Sequence, residues 1–326
     1  MAAKNVLVTG IGGNVGQGII RNIRSLPYDI RIVGSNIADF SSGNYLCDAF
    51  YKLPYAYDDG FIAGMMEVVE KEKIDLIIPS TDYEIYYLAA SRNKFSCPIA
   101  ASDEATALIY LDKYETWKHH KKHAIAFAES LLPSQYKKNF KECIVKPKKG
   151  RGSRGLHVNP ENLSSFSDEE YMVQELHHGE EITTAFYVSK EKKLHGLITM
   201  SRSLENGTTS LCKVVSAYDA KVEEIILQMI KHSGLAGSAN LQSIVTADGK
   251  IIPFEVNCRI SGTNSIRSNF GFKDVLYTLQ EFLLGEVPEE PVIIPGVAVR
   301  VLLDVIYPNQ TDYNSIKDNS ADHFIF

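Results

Sequence analysis

The stretch Asn240–Arg259, NLQSIVTADGKIIPFEVNCR, decides the fold, because it contains a β-hairpin that turns at an Asp-Gly pair. The dipeptide is typical of a two-residue hairpin turn, and the residues on both sides of it alternate in polarity as strands do. A turn at Asp248 and Gly249 fixes the register of the two strands. That register predicts two polar cross-strand pairs, Gln242 with Glu255 and Asn240 with Asn257.

These four polar side chains share one face of the hairpin, since successive residues of a strand point to opposite sides. Residues directly opposite each other lie within roughly 5 Å. Carboxylate and amide oxygens at that spacing suit Mg²⁺, which prefers hard oxygen ligands and shares them with nucleotide phosphates. A solvated outer face is the alternative interpretation. The other face is predicted to hold Leu241, Ser243, Val245, Phe254 and Val256.

Length and composition set limits on the class of protein. A chain of 326 residues with 44% hydrophobic and 23% charged residues predicts two or three globular sub-domains. The net charge of −6 argues against nucleic-acid or anionic-membrane partners. The five cysteines show no CxxC or metal-ligand spacing, which favours reduced thiols in a cytoplasmic protein. No apolar stretch approaches the roughly 20 residues of a membrane span.

The first third of the chain alternates strand and helix. Asn5–Thr9 reads as a strand, the glycine-rich turn Gly10–Gly18 opens a helix that runs to Arg24, and Ile30–Gly34 reads as the next strand. A helix over 62–73, a strand over 75–79 and a helix over 84–92 continue the alternation. We therefore predict a Rossmann-like parallel domain over residues 1–105.

The pattern changes after Asp112. Helices near 112–130 precede a strand at Cys143–Lys146, and short strands follow a glycine-rich loop, as an antiparallel sheet requires. The predicted later elements are strands over 156–158, 171–176, 181–189 and 194–201, helices over 220–232 and 273–284, a short strand over 296–305 and a polar tail over 307–326.

The loop Lys148–Gly155 combines three glycines, a serine and four basic residues. Glycine lets backbone N–H groups approach an anion, and Lys and Arg add positive charge, so the loop suits a triphosphate. A flexible basic surface loop is the alternative interpretation. The pattern is not GxxxxGK[ST], which excludes a Walker P-loop.

A rival function comes from the N-terminal glycines. Thr9–Gly16 matches a TGxxGxxG dinucleotide fingerprint, and Tyr114 with Lys118 forms a YxxxK pair of the kind that short-chain reductases use. However, the second strand ends near Asn36 without the acidic residue that would hold an adenine ribose, and Asp39 comes several residues late. An NAD(P)-dependent reductase or epimerase is therefore the alternative function.

Five motifs follow one another along the chain: Asp112-Lys113, Ile144–Pro147 with the loop to Gly155, Gln174–Glu181, Asn240–Gln242 and Glu255–Arg259. In order and spacing they resemble the ATP-grasp superfamily, most nearly its carbamoyl-phosphate-synthase-large-subunit-like branch. The resemblance covers about residues 1–290. It implies an α/β and α+β fold, in which the Rossmann-like domain precedes two α+β sub-domains over 106–180 and 181–326.

The resemblance also implies a role for each candidate residue. Lys113 and Lys146 would hold the ATP phosphates, and Glu181 would take the ribose hydroxyls. Glu255 and Asn257 would bind Mg²⁺, or Mn²⁺ in its place, with Gln242 adjoining, while Arg259 and Lys146 would act catalytically on the reacting phosphoryl group. The lid would include Gly150, Gly152, Ser153 and Gly155, and the adenine hinge would include Gln174, Glu175, Leu176 and His177.

By the same resemblance the chain would be an ADP-forming ligase that uses ATP and Mg²⁺ to join a small carboxylate to an amine. Both partners would be small molecules, and a homodimer is left open. A nucleotide-binding protein without catalysis is a further alternative. The chain is short between Lys113 and Lys146, and no second ATP-grasp copy, glutaminase or carrier segment is recognised after Gly285, which disfavours carbamoyl phosphate synthesis itself.

Overall fold

The computed structural model describes residues 4–150, 154–316 and 321–326. Its first part is a parallel sheet of four strands in the order β3-β2-β1-β4, with two helices between the strands and a third after the last strand. The parallel α/β prediction is confirmed, and the short strand β3 is an addition to it. The elements are β1 Lys4–Val8, α1 Asn14–Arg24, β2 Ile30–Asn36, β3 Ala49–Lys52, α2 Phe61–Glu72, β4 Leu76–Ile78 and α3 Asp82–Ala90.

Helix α3 begins where the sequence offers a capping box. The Thr81 hydroxyl accepts a hydrogen bond from the Glu84 backbone N–H, and the Glu84 carboxylate accepts from the Thr81 N–H in return. Thr9, which follows β1, donates its hydroxyl to the same carboxylate at 2.6 Å. Burial raises the pKa of Glu84, while these hydrogen bonds oppose that rise. The cap therefore ties the start of α3 to the carboxyl end of β1.

The second part is an antiparallel sheet in the order β5-β8-β6-β7, preceded by two helices that meet at Asp112. The Asp112 carboxylate caps the second helix by accepting from the N–H groups of Tyr114 and Glu115. The helix predicted up to residue 130 ends at Lys122, because Ala124 adopts a positive φ of 54°. The elements are α4 Glu104–Leu111, α5 Lys113–Lys122, β5 Ser130–Leu131, β6 Cys143–Pro147, β7 His157–Val158 and β8 Tyr171–Glu175.

The third part is a six-stranded antiparallel sheet in the order β13-β12-β9-β10-β11-β14, and the hairpin with the Asp248-Gly249 turn lies at one edge of it. Strand β11 was not predicted. Three helical segments accompany the sheet, the last of them continuing into a π-helix over Leu279–Leu284. The elements are β9 Glu180–Val188, β10 Leu194–Glu205, β11 Thr208–Val214, α6 Asp219–His232, β12 Gly237–Val245, β13 Ile251–Asn257, α7 Asn264–Arg267, α8 Asp274–Thr278 and β14 Val297–Val299.

The single strand predicted over 296–305 is wrong. Only Val297–Val299 pairs with β11, and the chain then leaves the sheet, so that Leu302 is almost fully exposed. A separate two-stranded ladder forms farther along, between β15 Val305–Ile306 and β16 Phe324–Ile325. The pattern of apolar residues predicted one continuous strand. It does not show which neighbouring strand each part of the segment can pair with.

The hairpin has the predicted pairs but a different turn. Asn240 faces Asn257 and Gln242 faces Glu255, as predicted. The turn, however, closes with Thr246 opposite Lys250, which leaves three loop residues instead of two, with Gly249 at a φ of +76°. A bulge after Gln242 adds one residue on β13 and restores the register.

No helix among the described residues is long and apolar enough to cross a membrane.

Candidate active site

Lys146 is the buried base at the centre of the site. It lies on β6 with only 4% of its surface exposed, and its Nζ donates to Gln174 Oε1 at 2.8 Å and to the carbonyl of Phe254 at 3.1 Å. The hairpin bulge frees that carbonyl from the ladder, since Phe254 faces no residue of β12. Burial lowers the pKa of Lys146 to about 7; Glu255 acts to raise it and Lys113 lowers it further.

The bulge also corrects the predicted facing of Phe254. Its ring centroid lies 5.7 Å from Lys146 Nζ, so the ring is beside the buried lysine and not on the apolar face with Val256. Leu241 and Val256 are buried in the core as predicted. One inserted residue therefore turns an apolar ring toward the site.

Glu255 and Asn257 lie side by side at the end of β13. Asn257 Nδ2 donates to Glu255 Oε1 at 3.2 Å, and Gln242 Nε2 donates to Asn257 Oδ1 at the same distance. Burial acts to raise the pKa of Glu255, but Lys113, Lys146, the Asn257 hydrogen bond and Arg259 together hold it below its ordinary value. The carboxylate therefore stays ionised in a buried position.

Arg259 follows the hairpin and reaches the first sheet domain. Its Nη2 lies 2.7 Å from a carboxylate oxygen of Asp82, the first residue of α3, and both side chains are mostly buried. Among the described residues, Arg259 Nε and Asp82 Oδ1 are buried without a hydrogen-bond partner. Unsatisfied polar atoms in a buried ion pair are typical of a site that a ligand completes.

Arg202 is a site residue that sequence reasoning missed. It lies on β10, and its guanidinium bridges Glu181 Oε1 at 2.8 Å and Gln242 Oε1 at 2.6 Å. The predicted strand ended at Ser201, one residue before it. Because the β9 and β12 neighbours of Arg202 come from distant parts of the chain, only the sheet order reveals the contact.

Lys113 and the loop glycines meet at the other side of Lys146. Lys113 Nζ donates to the Gly150 carbonyl at 3.2 Å, and its backbone N–H donates to Lys148 at 2.9 Å. Gly155 adopts a φ of +68°, a conformation that glycine permits. Gly152 and Ser153, which we also predict for the lid, lie outside the described residues.

The predicted hinge joins the two antiparallel sheets. Gln174 is buried and holds Lys146, with its Nε2 donating to Ser130. Glu175 ends β8, and its carboxylate lies 3.4 Å from His177 Nε2. The Leu176 N–H donates to the Glu142 carbonyl, and β9 begins four residues later. These residues therefore form the connection from the four-stranded sheet to the six-stranded sheet.

The polar set fits a hard cation that keeps other ligands. Within the described residues, no group of three or more His, Cys, Asp or Glu side chains could hold a metal ion. Glu255 instead offers one ionised carboxylate beside the Asn257 amide, which suits Mg²⁺ shared with phosphate oxygens. Gln242 accepts from Arg202 through its Oε1 and donates to Asn257 through its Nε2, so it orients the Asn257 amide.

The N-terminal glycines serve close packing. A side chain at Gly16 would place its Cβ 2.7 Å from the Gly10 carbonyl oxygen, and one at Gly12 would lie 2.5 Å from Asn36 Nδ2. The YxxxK lysine is also engaged, since Lys118 lies 2.6 Å from Glu115. These contacts account for both features of the dinucleotide pattern without a ligand.

Two family models match the chain. Residues 110–263 match the ATP-grasp domain, and residues 6–100 match the N-terminal domain of PylC-like proteins. No curated protein matches the chain in sequence.

Solved structures share the fold over most of the chain. N5-carboxyaminoimidazole synthetase from Staphylococcus aureus, complexed with ADP, has a TM-score of 0.73 and 12% identity, covering 92% of this chain and 82% of that one. The biotin carboxylase domain of Hydrogenobacter thermophilus 2-oxoglutarate carboxylase, in complex with MgADP and bicarbonate, gives 0.72 and 14%, covering 90% and 73%. L-amino acid ligase from Bacillus licheniformis gives 0.69 and 14%, covering 86% and 74%. This likeness confirms the predicted fold class.

Proposed function

This chain is an ATP-grasp protein through residues 110–263, and we propose that it is an ADP-forming ligase that joins a small carboxylate to an amine. The solved structures that share its fold include an amino acid ligase and two proteins complexed with ADP, which supports ATP as the energy source. The assignment of roles to individual residues rests on the geometry of this chain.

The observation that carries the proposal is the convergence of three bases on one buried carboxylate. Lys113, Lys146 and Arg259 all act electrostatically on Glu255, and they keep it ionised despite its burial. Asp82 pairs with Arg259, so three basic side chains face two carboxylates, and one positive charge stays unbalanced when Lys146 is protonated. A polyphosphate with a divalent cation would balance the excess, since phosphoryl transfer depends on neutralising charge at the γ-phosphate.

The proposed reaction has two steps. A substrate carboxylate oxygen attacks the γ-phosphorus of ATP, the bond to ADP breaks, and an acyl phosphate forms. The amine nitrogen then attacks the acyl carbon, phosphate leaves, and the nitrogen gives up a proton. Lys146 and Arg259 hold the transferred phosphoryl oxygens through both steps, and the loop from Lys148 to Gly155 keeps water from the acyl phosphate.

Glu255 and Asn257 would hold the metal in this proposal. When bound, Mg²⁺ would neutralise negative charge on the nucleotide phosphates. Asn257 is oriented by Gln242, which Arg202 in turn holds in place. The residues that position the metal ligands therefore extend across three strands of the six-stranded sheet.

Glu181 retains a free acceptor for the ribose. Both contacts from Arg202 go to Oε1, and within the described residues no hydrogen bond engages Oε2. We assign Oε2 to the ribose hydroxyls. The Arg202 ion pair then orients the carboxylate without competing with the nucleotide.

The test is capture of the acyl phosphate. Purified protein is incubated with ATP, Mg²⁺, a panel of amino acids and other small carboxylates, and hydroxylamine as the amine. We expect one or a few carboxylates to give ADP and a hydroxamate in equal amounts, both dependent on Mg²⁺. ADP formation without any hydroxamate would contradict the ligase, while Mg²⁺-dependent ATP binding with no turnover would identify a non-catalytic nucleotide-binding protein.

A parallel binding measurement addresses the rival function. Calorimetric titration with ATP and Mg²⁺ is compared with titration by NADH and NADPH. The ligase requires binding of ATP, whereas tight binding of NADH or NADPH alone would favour the reductase. Because β2 ends at Asn36 without an acidic residue for the adenine ribose, we expect no such binding.

A further inference from the structure

Three tyrosines, Tyr55, Tyr57 and Tyr83, meet in a cluster that we call the tyrosine wall. The rings of Tyr55 and Tyr57 stack with centroids 5.2 Å apart and an angle of 6° between their planes. Tyr83 meets Tyr57 edge-on, at 5.4 Å. Tyr55 is 39% exposed and Tyr57 is 51% exposed, whereas Tyr83 is half-buried. The two exposed rings present a flat π-surface that a ligand can contact.

The fold explains why these rings come together. All four strands of the first sheet are parallel, so the segments that follow their carboxyl ends meet at one edge. Tyr55 and Tyr57 follow β3, and Tyr83 lies in the first turn of α3, after β4. Since β3 and β4 are the two outer strands, contact between Tyr57 and Tyr83 requires the segment after β3 to run back across that edge.

This edge faces the ATP-grasp half of the chain. Asp82, the residue before Tyr83, holds the Arg259 guanidinium at 2.7 Å. On the same side, a side chain at Gly262 would lie 2.9 Å from the Asn14 amide of α1. Tyr83 therefore directly follows Asp82 in the chain, and the ion pair of Asp82 with Arg259 joins this sheet edge to the ATP-grasp half.

The charge around the wall selects the class of ligand. Asp58 and Asp59 directly follow Tyr57 in the chain. The nearest lysines in sequence contact other groups, since Lys52 pairs with Asp39 and Lys71 lies over the Tyr51 ring. Within the described residues, neither Asp58 nor Asp59 forms a salt bridge, and both are exposed. Phenol faces carry negative electrostatic potential and attract cations, and nearby carboxylates strengthen that attraction.

We propose that Tyr57, with Tyr55 and Tyr83, forms the subsite for an alkylammonium group of the amine substrate. This inference rests on the proposed ligase function and names the chemistry of its second substrate. A cationic amine would stack its ammonium group on the exposed ring of Tyr57 beside Asp58 and Asp59, and it would release a proton to water before its nitrogen attacks the acyl phosphate. The site thereby holds the amine next to the arginine that binds the phosphoryl group.

The test uses n-butylammonium as the probe and 1-pentanol, a linear alcohol one carbon longer, as its uncharged counterpart. Binding is measured by saturation-transfer NMR on wild type, Tyr57→Leu, Tyr57→Phe and the control Tyr313→Leu, which removes an exposed ring elsewhere. An exposed cation–π contact is worth about 0.5–1 kcal/mol, so we expect Tyr57→Leu to weaken butylammonium binding about two- to five-fold. Tyr57→Phe and Tyr313→Leu should bind as wild type does.

Several outcomes would overturn the subsite. One is that wild type does not bind butylammonium. Another is that Tyr57→Leu weakens the binding of butylammonium and pentanol equally, and a third is that Tyr313→Leu loses as much butylammonium affinity as Tyr57→Leu does. The thermal unfolding midpoint of each variant shows that it is folded. Failure of the ligase function can be distinguished from failure of the subsite, because the probe binds without ATP. Bound butylammonium with no ADP formation rejects the ligase alone. Amine-dependent ADP formation that Tyr57→Leu leaves unchanged rejects the subsite alone.

Discussion

At the scale of single residues, burial decides how readily a side chain gains or loses its charge. Lys146 keeps its ammonium group in a buried position because two oxygens accept from it, Gln174 Oε1 and the Phe254 carbonyl. Its pKa near 7 means that it gives up a proton far more readily than an exposed lysine. An incoming phosphate would favour the protonated form. The same burial that weakens its charge makes it responsive to a polyanion.

Replacing Lys146 with alanine should severely reduce ATP turnover while the protein stays folded. The change removes one charge-assisted contact to the transferring phosphoryl group, a loss on the order of 2–4 kcal/mol in the transition state. Steady-state ADP release measures it, and Lys118→Ala, which alters an exposed helix face, is the matched control. Undiminished turnover in a folded Lys146→Ala variant would remove this lysine from the site.

His120 should make the protein sensitive to acid. Its ring is fully buried, its Nε2 has no hydrogen-bond partner among the described residues, and burial lowers its pKa to about 4. An unfolded chain binds a proton there near pH 6.5 and the folded chain does not, so the free energy of unfolding should fall as the pH drops from about 6.5 to about 4. The loss is on the order of 3 kcal/mol.

Urea denaturation across this pH range measures the effect. His120→Phe preserves an aromatic ring beside Phe127 but cannot be protonated. Its stability should vary less with pH than that of wild type. Identical pH slopes for the two proteins would show that His120 is not the responsible group.

At the scale of elements, the hairpin separates function from folding across one peptide unit. Glu255→Gln removes the carboxylate of the proposed metal site and should weaken Mg²⁺-dependent turnover. Because nearby basic groups stabilise the ionised carboxylate, the free energy of unfolding should also fall, but less than in a variant that buries a charge in the core. Val256→Asp places a charge in the core that Val256 now fills, and it should unfold or aggregate the protein. Activity at limiting Mg²⁺ and urea denaturation measure the two effects.

Two results would contradict this assignment of faces. One is full activity of Glu255→Gln at limiting Mg²⁺. The other is wild-type stability of Val256→Asp. Val245→Thr, a mild change on the same buried face and far from the metal ligands, serves as a control for general sensitivity of the hairpin.

At the scale of the whole molecule, the ion pair between Asp82 and Arg259 joins two parts of the chain 177 residues apart. Removing one partner leaves the other charge buried and unpaired, which typically costs about 3–5 kcal/mol. We expect Asp82→Ala and Arg259→Ala each to be strongly destabilising, and the double variant to lose much less than the sum. Urea denaturation of all four proteins measures the coupling; strictly additive losses would mean that the pair makes no energetic link.

The sequence by itself determined the polar face of the hairpin. Glu255 and Asn257 could be placed on that face because strand alternation puts polar side chains on one side and a turn signal fixes their pairs, whereas the proposed roles of Lys146 and Arg259 came from the family resemblance. The hairpin pairs were correct even though the turn has three residues, since the bulge on β13 compensates for the extra one. Local periodicity also identified the parallel domain and most of the strands and helices.

Only the tertiary structure decided how these residues are held. Arg202 reaches Glu181 and Gln242 because β10, β9 and β12 are neighbours in the sheet, and nothing local in the sequence states that order. The order and placement of the strands also decided three other features. These are the pairing of Arg259 with Asp82, the contact between Tyr57 and Tyr83, and the end of the predicted strand at Val299. Periodicity reports the environment of a residue along its own strand or helix, whereas contacts between distant segments depend on which edges and faces the fold brings within reach.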